Sequence, residues 1–578
     1  MKLLEAFELI NQNRDSNVPV KSFYLACGFT PLHLRTFLQA NLQHRIAECR
    51  VEVLVGLFGD LAGNLERAPA LAAEGTAVVI EWTDLDPRLG LRVLGGWLPE
   101  TLHSIQESVA LCCNRIETAL RDLARSSPIA VSLPTLPLPP LDLPPTFQAG
   151  SFELELRQRT ATFAARICSI ASVRIVNPQR LDAISPLSQR FDVEGELTQG
   201  FPYRLEHAEK LAELLSSLLN NPPPKKGLIT DLDDTCWKGI LGEVGVDGIS
   251  WDLARNSQIH GIYQQFLHSL ARRGILVAVA SKNDPSLVRQ AFQRPDIQLP
   301  AEMVFPIEAH WQPKSQSVAR IVKTWNIGSD AVVFVDDSPM ELAEVQAAHP
   351  DLECLLFRKD DPAAVIDLLE NLRERFGKAS ISDEDRIRSQ SIRDGSLLVE
   401  AEHGDPASFE QVLKNSEAMI DFCLETGGGF GRAFELVNKT NQFNLNGKRY
   451  SESAWQDYFE QSGAFLLIAS YRDKFGPLGE IAVLMGRKMP DGPLRIDTWV
   501  MSCRSFSRRI EHQCLRYLYR SFGVQRIVFD WVQTTRNGPI CEFLASFDSL
   551  QPDFTLSQER FETLCPPLFH RLQEKVRE

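Results

Sequence analysis

The feature that most constrains the fold is an alternation of short apolar runs with amphipathic helices, in which each run closes on polar residues. Leu228–Thr230 leads into Asp231-Leu232-Asp233-Asp234-Thr235. Ile275–Ala280 closes on Ser281-Lys282-Asn283-Asp284, and Ala331–Val335 closes on Asp336-Asp337. Lys314 stands between them, at a helix start in Trp311-Gln312-Pro313-Lys314-Ser315. Ile259, Ile262, Tyr263, Phe266, Leu267 and Leu270 recur at helical spacing after the first run. Asp284-Pro285 and Ser338-Pro339 each offer a helix cap followed by proline at the first helical position. Strand-helix alternation predicts a parallel sheet with helices on both faces, and such sheets bind ligands at the carboxyl ends of their strands. The polar groups named all fall at those ends.

Asp231 and Asp233 lie two apart where the chain leaves a strand, and Thr235 is close enough to hydrogen-bond back into the same loop. This spacing suits phosphoryl transfer. Asp231 can attack a phosphorus atom while Asp233 protonates the leaving oxygen and later activates water. Two carboxylates cannot approach a phosphate dianion unaided, so the pair implies a hard divalent cation, Mg2+.

The set Asp231-x-Asp233-x-Thr235, Ser281, Lys314 and Asp336-Asp337 resembles the four motifs of the haloacid dehalogenase (HAD) superfamily of aspartyl-phosphate enzymes, over about 150 residues. The resemblance implies Asp231 as nucleophile, Asp233 as general acid and base, Ser281 as holder of the phosphoryl oxygens and Lys314 as the cation that neutralises the transition state. It implies Mg2+ held by Asp231, the backbone carbonyl of Asp233 and Asp336, with Asp337 beside or just behind. Only 50 positions separate Asp231 from Ser281, and 22 separate Lys314 from Asp336. Those are the two places where the superfamily inserts cap domains, and neither has room for a large one. An uncapped site admits a bulky or macromolecular substrate unless another domain covers it.

Trp237-Lys238-Gly239-Ile240-Leu241-Gly242-Glu243 and Gly245, with Ser281–Asp284, resemble the FkbH-like branch of the superfamily. Members of that branch serve polyketide and related assembly lines. The resemblance implies removal of phosphate from a phosphorylated acyl donor, 1,3-bisphosphoglycerate, and loading of the glyceryl group on the phosphopantetheine arm of an acyl carrier protein. Trp237, Lys282 and Asn283 are then expected at the substrate. Cys236 stands where the family usually has an apolar residue; it is either an acyl relay or a small buried side chain under the site.

At 578 residues the chain has material for about three domains. The sequence is 44% hydrophobic and 24% charged, with no apolar stretch of membrane-spanning length and no signal-peptide pattern in Met1–Ser16, so neither a membrane nor secretion is expected. Twelve cysteines without a C-x-x-C pair fit a reducing cytoplasm better than a disulfide framework. A net charge of −14 argues against nucleic acid, and an acidic carrier would need a local basic patch.

The expected organisation is α/β in three domains. A central HAD-like domain over 223–385, a parallel sheet with helices on both faces, is flanked by α/β (1–222) and α+β (395–578) domains. Asn220–Lys226, with three prolines, reads as a linker, and the charged run Ser380–Asp394 as a solvated connector. The first domain offers strands at Ser22–Ala26, Val51–Leu57, Thr76–Trp82 and Pro128–Leu133. It resembles the SGNH-hydrolase-like domain of larger FkbH-like proteins. Cys27 and Thr30 replace the expected serine, and only Glu206-His207 stands near the end, so a scaffold is expected rather than an esterase. The proline-rich Leu133–Pro145 reads as a loop packed along that domain.

The last domain resembles the GNAT acyltransferase-like tail of the same proteins. Its markers are Glu435–Phe443, strands Phe465–Tyr471 and Glu480–Gly486, Asp497–Arg504 and Thr534–Phe543. Arg504–Arg509 stands where a glycine-containing loop would bind the CoA pyrophosphate, which counts against CoA. Arg508 is nonetheless a candidate contact for phosphopantetheine, since cations at a helix start call for an anion. Gly427–Gly431 lacks the Lys-Ser/Thr of a phosphate loop and reads as a turn. The competing readings are a small-molecule phosphatase without carrier loading, a GNAT-type acyltransferase, and an interaction protein with a vestigial centre.

Overall fold

The computed structural model describes residues 1–12, 18–378, 381, 385, 392–393, 410–411, 413–426, 431–474, 476–488, 492–502, 505–534, 537–551 and 553–574. Most of Ser380–Asp394, the glycines of Gly427–Gly429 and Arg504 lie outside these residues. The chain divides into two compact units, Met1–Pro223 and Pro224–Glu578, at the proline stretch.

In the first unit, β1 (Val20–Ala26), β2 (Arg50–Val55), β3 (Gly75–Val79), β4 (Ile129–Ser132) and β5 (Val173–Ile175) form a parallel sheet in the order β2-β1-β3-β4-β5. Its two faces bury separate cores. Tyr24, Ala26, Val78, Ile129 and Val131 belong to one; Phe23, Leu25, Val51, Val53, Ala77 and Ala130 belong to the other. The period-2 alternation along each strand makes this division. The loop Leu133–Pro145 is anchored along the unit by Leu141, which is buried, and by the Trp82 indole N–H donating to the Leu136 carbonyl at 2.9 Å.

The carboxyl ends of β3 and β4 carry a buried polar network. Glu81 is buried and accepts from the Thr135 backbone and hydroxyl, the Leu136 N–H and the Tyr203 hydroxyl. His207 is fully buried, with Nε2 3.0 Å from the Thr135 hydroxyl and Nδ1 2.9 Å from the Ser185 hydroxyl. Cys27 is buried, and burial raises its thiol pKa far above the ordinary range. His207 is therefore a core histidine.

Burial, with Arg190 nearby, lowers the His207 pKa to about 3. An unfolded histidine titrates near 6.5, so unfolding takes up a proton between those values, and stability falls as pH falls through that window by about 1.4 kcal/mol per pH unit. Replacing His207 with glutamine is expected to flatten this acid limb in pH-dependent denaturant melts. An unchanged limb would show that other groups carry it.

The second unit holds two sheets. β6 (Gly227–Thr230), β7 (Leu276–Ser281), β8 (Ile307–Ala309), β9 (Val332–Asp336) and β10 (Glu353–Leu356) are all parallel, ordered β10-β9-β6-β7-β8. Leu228, Val277, Val279, Val333 and Val335 face one core, while Ile229, Leu276, Ala278, Val332 and Phe334 face the other. Helices cover both faces, as the near-continuous apolar strands require. Gly227 is needed at the start of β6, because a Cβ there would lie 2.3 Å from the Trp325 ring.

The remaining sheet is mixed. β11 (Met419–Glu425), β13 (Ala464–Asp473), β14 (Gly476–Lys488) and β15 (Leu494–Met501) are antiparallel neighbours, and β16 (Arg526–Phe529) runs parallel to β15. β17 (Thr555–Ser557) and β18 (Arg571–Glu574) close the two edges, and β12 (Phe443–Asn444) pairs with the end of β15. The α/β architecture is thus as the alternation requires, with a mixed sheet added. No described helix is long and apolar enough to cross a membrane.

Candidate active site

The order β10-β9-β6-β7-β8 reverses direction between β9 and β6, which opens a crevice at their carboxyl ends. Asp231 follows β6 there, its N–H donating to the Val335 carbonyl at 3.0 Å, and Asp336 ends β9. Asp336 is fully buried, as is most of Lys314, which is 4% exposed. The Lys314 ammonium lies 2.6 Å from Asp336 Oδ2 and 3.0 Å from Asp231 Oδ1. Proximity in sequence plays no part in this triad; three separate elements converge on it.

One ammonium is shared between two buried carboxylates. Burial raises the pKa of both Asp231 and Asp336, and Lys314 only partly opposes that rise. Burial would lower the Lys314 pKa, but the two carboxylates reverse this and hold it above the usual lysine range. Asp231 Oδ1 is buried and faces the Lys314 ammonium. Asp231, Asp336 and Asp337 each offer an oxygen, all within 4.8 Å of one another. An all-oxygen set of three carboxylates, two of them buried and sharing a single ammonium, fits a hard divalent cation.

The other residues expected from the sequence divide into those at the cluster and those that support it. Ser281 ends β7, buried, with its hydroxyl accepting from the Asn283 amide at 3.1 Å. Asp337 pairs with Lys359 at 2.9 Å. The Asp233 side chain is not at the cation cluster: Oδ1 accepts from the Trp237 indole N–H (2.9 Å) and the Leu241 N–H (3.2 Å), and Oδ2 from the Asn283 amide (3.0 Å). Burial raises its pKa against these three donors, which suits a group that must hold a proton.

Several expectations are corrected. Trp237 is fully buried and Asn283 nearly so, so both serve Asp233 and do not line a substrate surface. Lys282 is more exposed and pairs with Glu341 at 2.7 Å. The Thr235 hydroxyl is buried without a hydrogen bond, so it does not bond back into its loop; that loop is closed by the Thr235, Cys236 and Trp237 N–H groups donating to the Leu232 carbonyl. Cys236 is 2% exposed, within the core beneath the site, and burial pushes its thiol up to about 12. This burial beneath the site matches the second of the two readings of Cys236, a small side chain packed under the loop. Arg508 is also buried; its guanidinium lies 3.6 Å from Asp473 and over the Tyr471 ring, so the protein itself supplies the anion.

Lys359 was missed. It pairs with Asp234 (2.7 Å) as well as Asp337, tying the loop after β6 to that after β9. Its signal is the same grammar as the other motifs: an apolar strand, a polar residue, then the Asp361-Pro362 cap. Beneath the loop, the His260 imidazole Nδ1 lies 2.9 Å from the Thr235 carbonyl, and the Gln264 amide donates to the Cys236 carbonyl at 2.7 Å. These buried side chains of one helix fix the loop from below.

The N-terminal part of the protein BF1531 from Bacteroides fragilis, described as containing a phosphatase domain and crystallised with Mg, aligns over 65% of this chain and 99% of its own. The TM-score is 0.52 at 19% identity. The two share a fold. An uncharacterised protein from Corynebacterium glutamicum aligns over 27% of this chain and 98% of its own, with 16% identity and a TM-score of 0.19, too low to bear on the fold. No protein-family model and no curated protein matches the chain.

Proposed function

We propose that this protein is a Mg2+-dependent phosphatase of the HAD type, with Asp231 as nucleophile. The observation that carries the reading is the convergence of Asp231, Asp336 and Lys314 at the switch point of a parallel sheet, beside a second carboxyl, Asp233, fixed by three donors. A fold shared with a phosphatase-domain protein crystallised with Mg supports it.

Asp231 attacks phosphorus and forms an acyl phosphate, the bond to the leaving oxygen breaks, and that oxygen takes the proton of Asp233. Water then attacks the acyl phosphate, gives its proton to Asp233, and the P–O bond to Asp231 breaks; inorganic phosphate leaves and both carboxyls are restored. Lys314 offsets the negative charge of the transferring group, and Ser281 stands ready to donate to one of its oxygens. Mg2+ held by Asp231, Asp336, Asp337 and the Asp233 carbonyl would supply charge neutralisation at the phosphoryl oxygens. Removing divalent cations with EDTA is expected to abolish phosphate release and excess Mg2+ to restore it; Mg2+ at about 100 times its Kd would also stabilise the fold by about 2.7 kcal/mol, read as a rise in Tm. Activity that survives EDTA would refute the cation requirement.

The finer reading places an acyl carrier protein on the receiving side. The carrier's phosphopantetheine thiol attacks the acyl carbon of 1,3-bisphosphoglycerate and expels one phosphate, while hydrolysis through Asp231 removes the other, leaving a glyceryl thioester. The resemblance of Trp237–Gly245 and Ser281–Asp284 to FkbH-like proteins supports this, and a cytoplasmic setting would supply both partners. Intact-mass spectrometry of a phosphopantetheinylated carrier, with Mg2+ and 1,3-bisphosphoglycerate generated in situ, tests it. A glyceryl mass gain, absent with Asp231→Asn, is the expected result; phosphate release with an unmodified carrier would leave only the phosphatase. The flanking domains, read as SGNH-like and GNAT-like, would act as scaffold or docking modules.

A further inference from the structure

Asp233 accepts three hydrogen bonds, and they are unevenly divided. Oδ1 takes two donors, the Trp237 indole N–H at 2.9 Å and the Leu241 N–H at 3.2 Å. Oδ2 takes one, the Asn283 amide at 3.0 Å. A carboxyl oxygen that carries a proton has less capacity left for accepting, so a proton on Oδ1 would disturb two short bonds, and one on Oδ2 need disturb none.

We propose that Trp237 and Asn283 are positioning residues for proton transfer, which hold the Asp233 carboxyl so that Oδ2 is the atom exchanging the proton with the leaving oxygen. The inference rests on Asp233 serving as the general acid of the phosphatase reading. The step it governs is the first one: the bond from phosphorus to the leaving oxygen breaks while the proton on Oδ2 passes to that oxygen, and Asp233 is left as a carboxylate.

Both donors are anchored to one helix, Pro285–Phe292. The Trp237 ring meets Phe292 edge to face, with centroids 6.1 Å apart. Asn283 immediately precedes the Asp284 cap, whose carboxylate accepts from the Ser286 and Leu287 N–H groups. The Leu241 N–H is the first of the helix Leu241–Gly248. Asp233 is therefore held by donors from two elements outside its own strand. The Asn283 amide also reaches Ser281 Oγ at 3.1 Å, so one side chain sets the spacing between the proton donor and the phosphoryl-binding hydroxyl.

Leaving-group dependence separates this role from a structural one. A nitrophenolate departs without a proton, whereas an alkoxide needs one. The test is single-turnover release from p-nitrophenyl phosphate and from an unactivated alkyl phosphate, with Mg2+, for the wild type, Trp237→Phe and Asn283→Ala. Phenylalanine keeps the ring in the core and removes only the donor. Trp237→Phe is expected to lose about tenfold to a hundredfold on the alkyl phosphate and less than about threefold on p-nitrophenyl phosphate; Asn283→Ala, which also frees the Ser281 hydroxyl, is expected to lose on both and about tenfold more on the alkyl phosphate. Equal losses on both substrates, or no loss in either variant, would overturn the proposal with the phosphatase reading intact. A wild type inactive on both would remove that reading and the inference with it. Asn283→Ala keeps the test open should Trp237→Phe fail to fold.

Discussion

Asp231→Asn is expected to lower phosphate release by about 10⁴-fold or more, while leaving the cation-free protein at least as stable as the wild type. The loss follows because an amide is not a nucleophile towards phosphorus and no other carboxylate occupies its place. The stability half follows from electrostatics. Asp231 and Asp336 are both buried, share the single ammonium of Lys314, and have pKa values raised by burial. A carboxyl whose pKa is higher folded than unfolded holds its proton more tightly in the folded state, so stability falls as pH rises from about 4, the unfolded value, through the raised folded value. Asparagine at 231 removes one such group and leaves Lys314 and Asp336 as a neutral pair. Thermal melts with EDTA at pH 5 and pH 7.5 check this: the variant should match or exceed the wild type in Tm, with the larger difference at pH 7.5. A marked fall in Tm would mean that the Asp231 charge stabilises the fold without a cation, against the present account.

Lys314→Met is expected to act in the opposite sense on stability and in the same sense on activity. Methionine fills much of the lysine volume, so the change is chiefly one of charge. It leaves two carboxylates facing each other in the crevice without a counter-charge. Breaking a buried pair in this way costs about 3–5 kcal/mol, which corresponds to a Tm lower by about 10 °C in EDTA. The deficit should grow as pH rises from about 4 to 7.5, because both carboxyls must then ionise or stay protonated at increasing cost. Mg2+ restores positive charge to the same oxygens, so it should recover more Tm in Lys314→Met than it adds to the wild type. Phosphate release should fall by about 10²–10³-fold even with saturating Mg2+, since the transferring group loses its fixed cation. If Mg2+ stabilised both proteins equally, Lys314 and the cation would not be serving the same carboxylates.

Aspartate 231 and aspartate 336 illustrate what is legible in a sequence of this kind. Each follows a run of fully buried strand residues, and the change from apolar to acidic marks the carboxyl end of a strand whatever the rest of the fold does. The fully buried strands β6, β7 and β9 could be read in this way. β8 and β10, with three and four residues and only partial burial, could not, because an edge strand that is half wet has no strong apolar pattern. The aromatic and amide residues after the motifs were legible as to position and not as to role. Trp237 and Asn283 were expected at the substrate, yet both are turned inward to Asp233, since a buried carboxyl requires donors and these two supply them. Cys236 and Arg508 show the same limit: burial, invisible along the chain, sets the thiol in the core beneath the site and places Asp473 beside the guanidinium.

By itself the sequence determined the periodicity, hence the α/β class, the parallel central sheet and the ends at which its polar residues lie, because side-chain pattern is a local property of strand and helix. Only the tertiary structure decided which of those residues meet. Strand order brought Asp231 and Asp336 together across 105 positions, seated Lys314 between them, and turned Asp233 away to its own three donors. Distances of that kind are set by packing and by the satisfaction of buried polar groups across elements remote in the chain, and no local pattern encodes them.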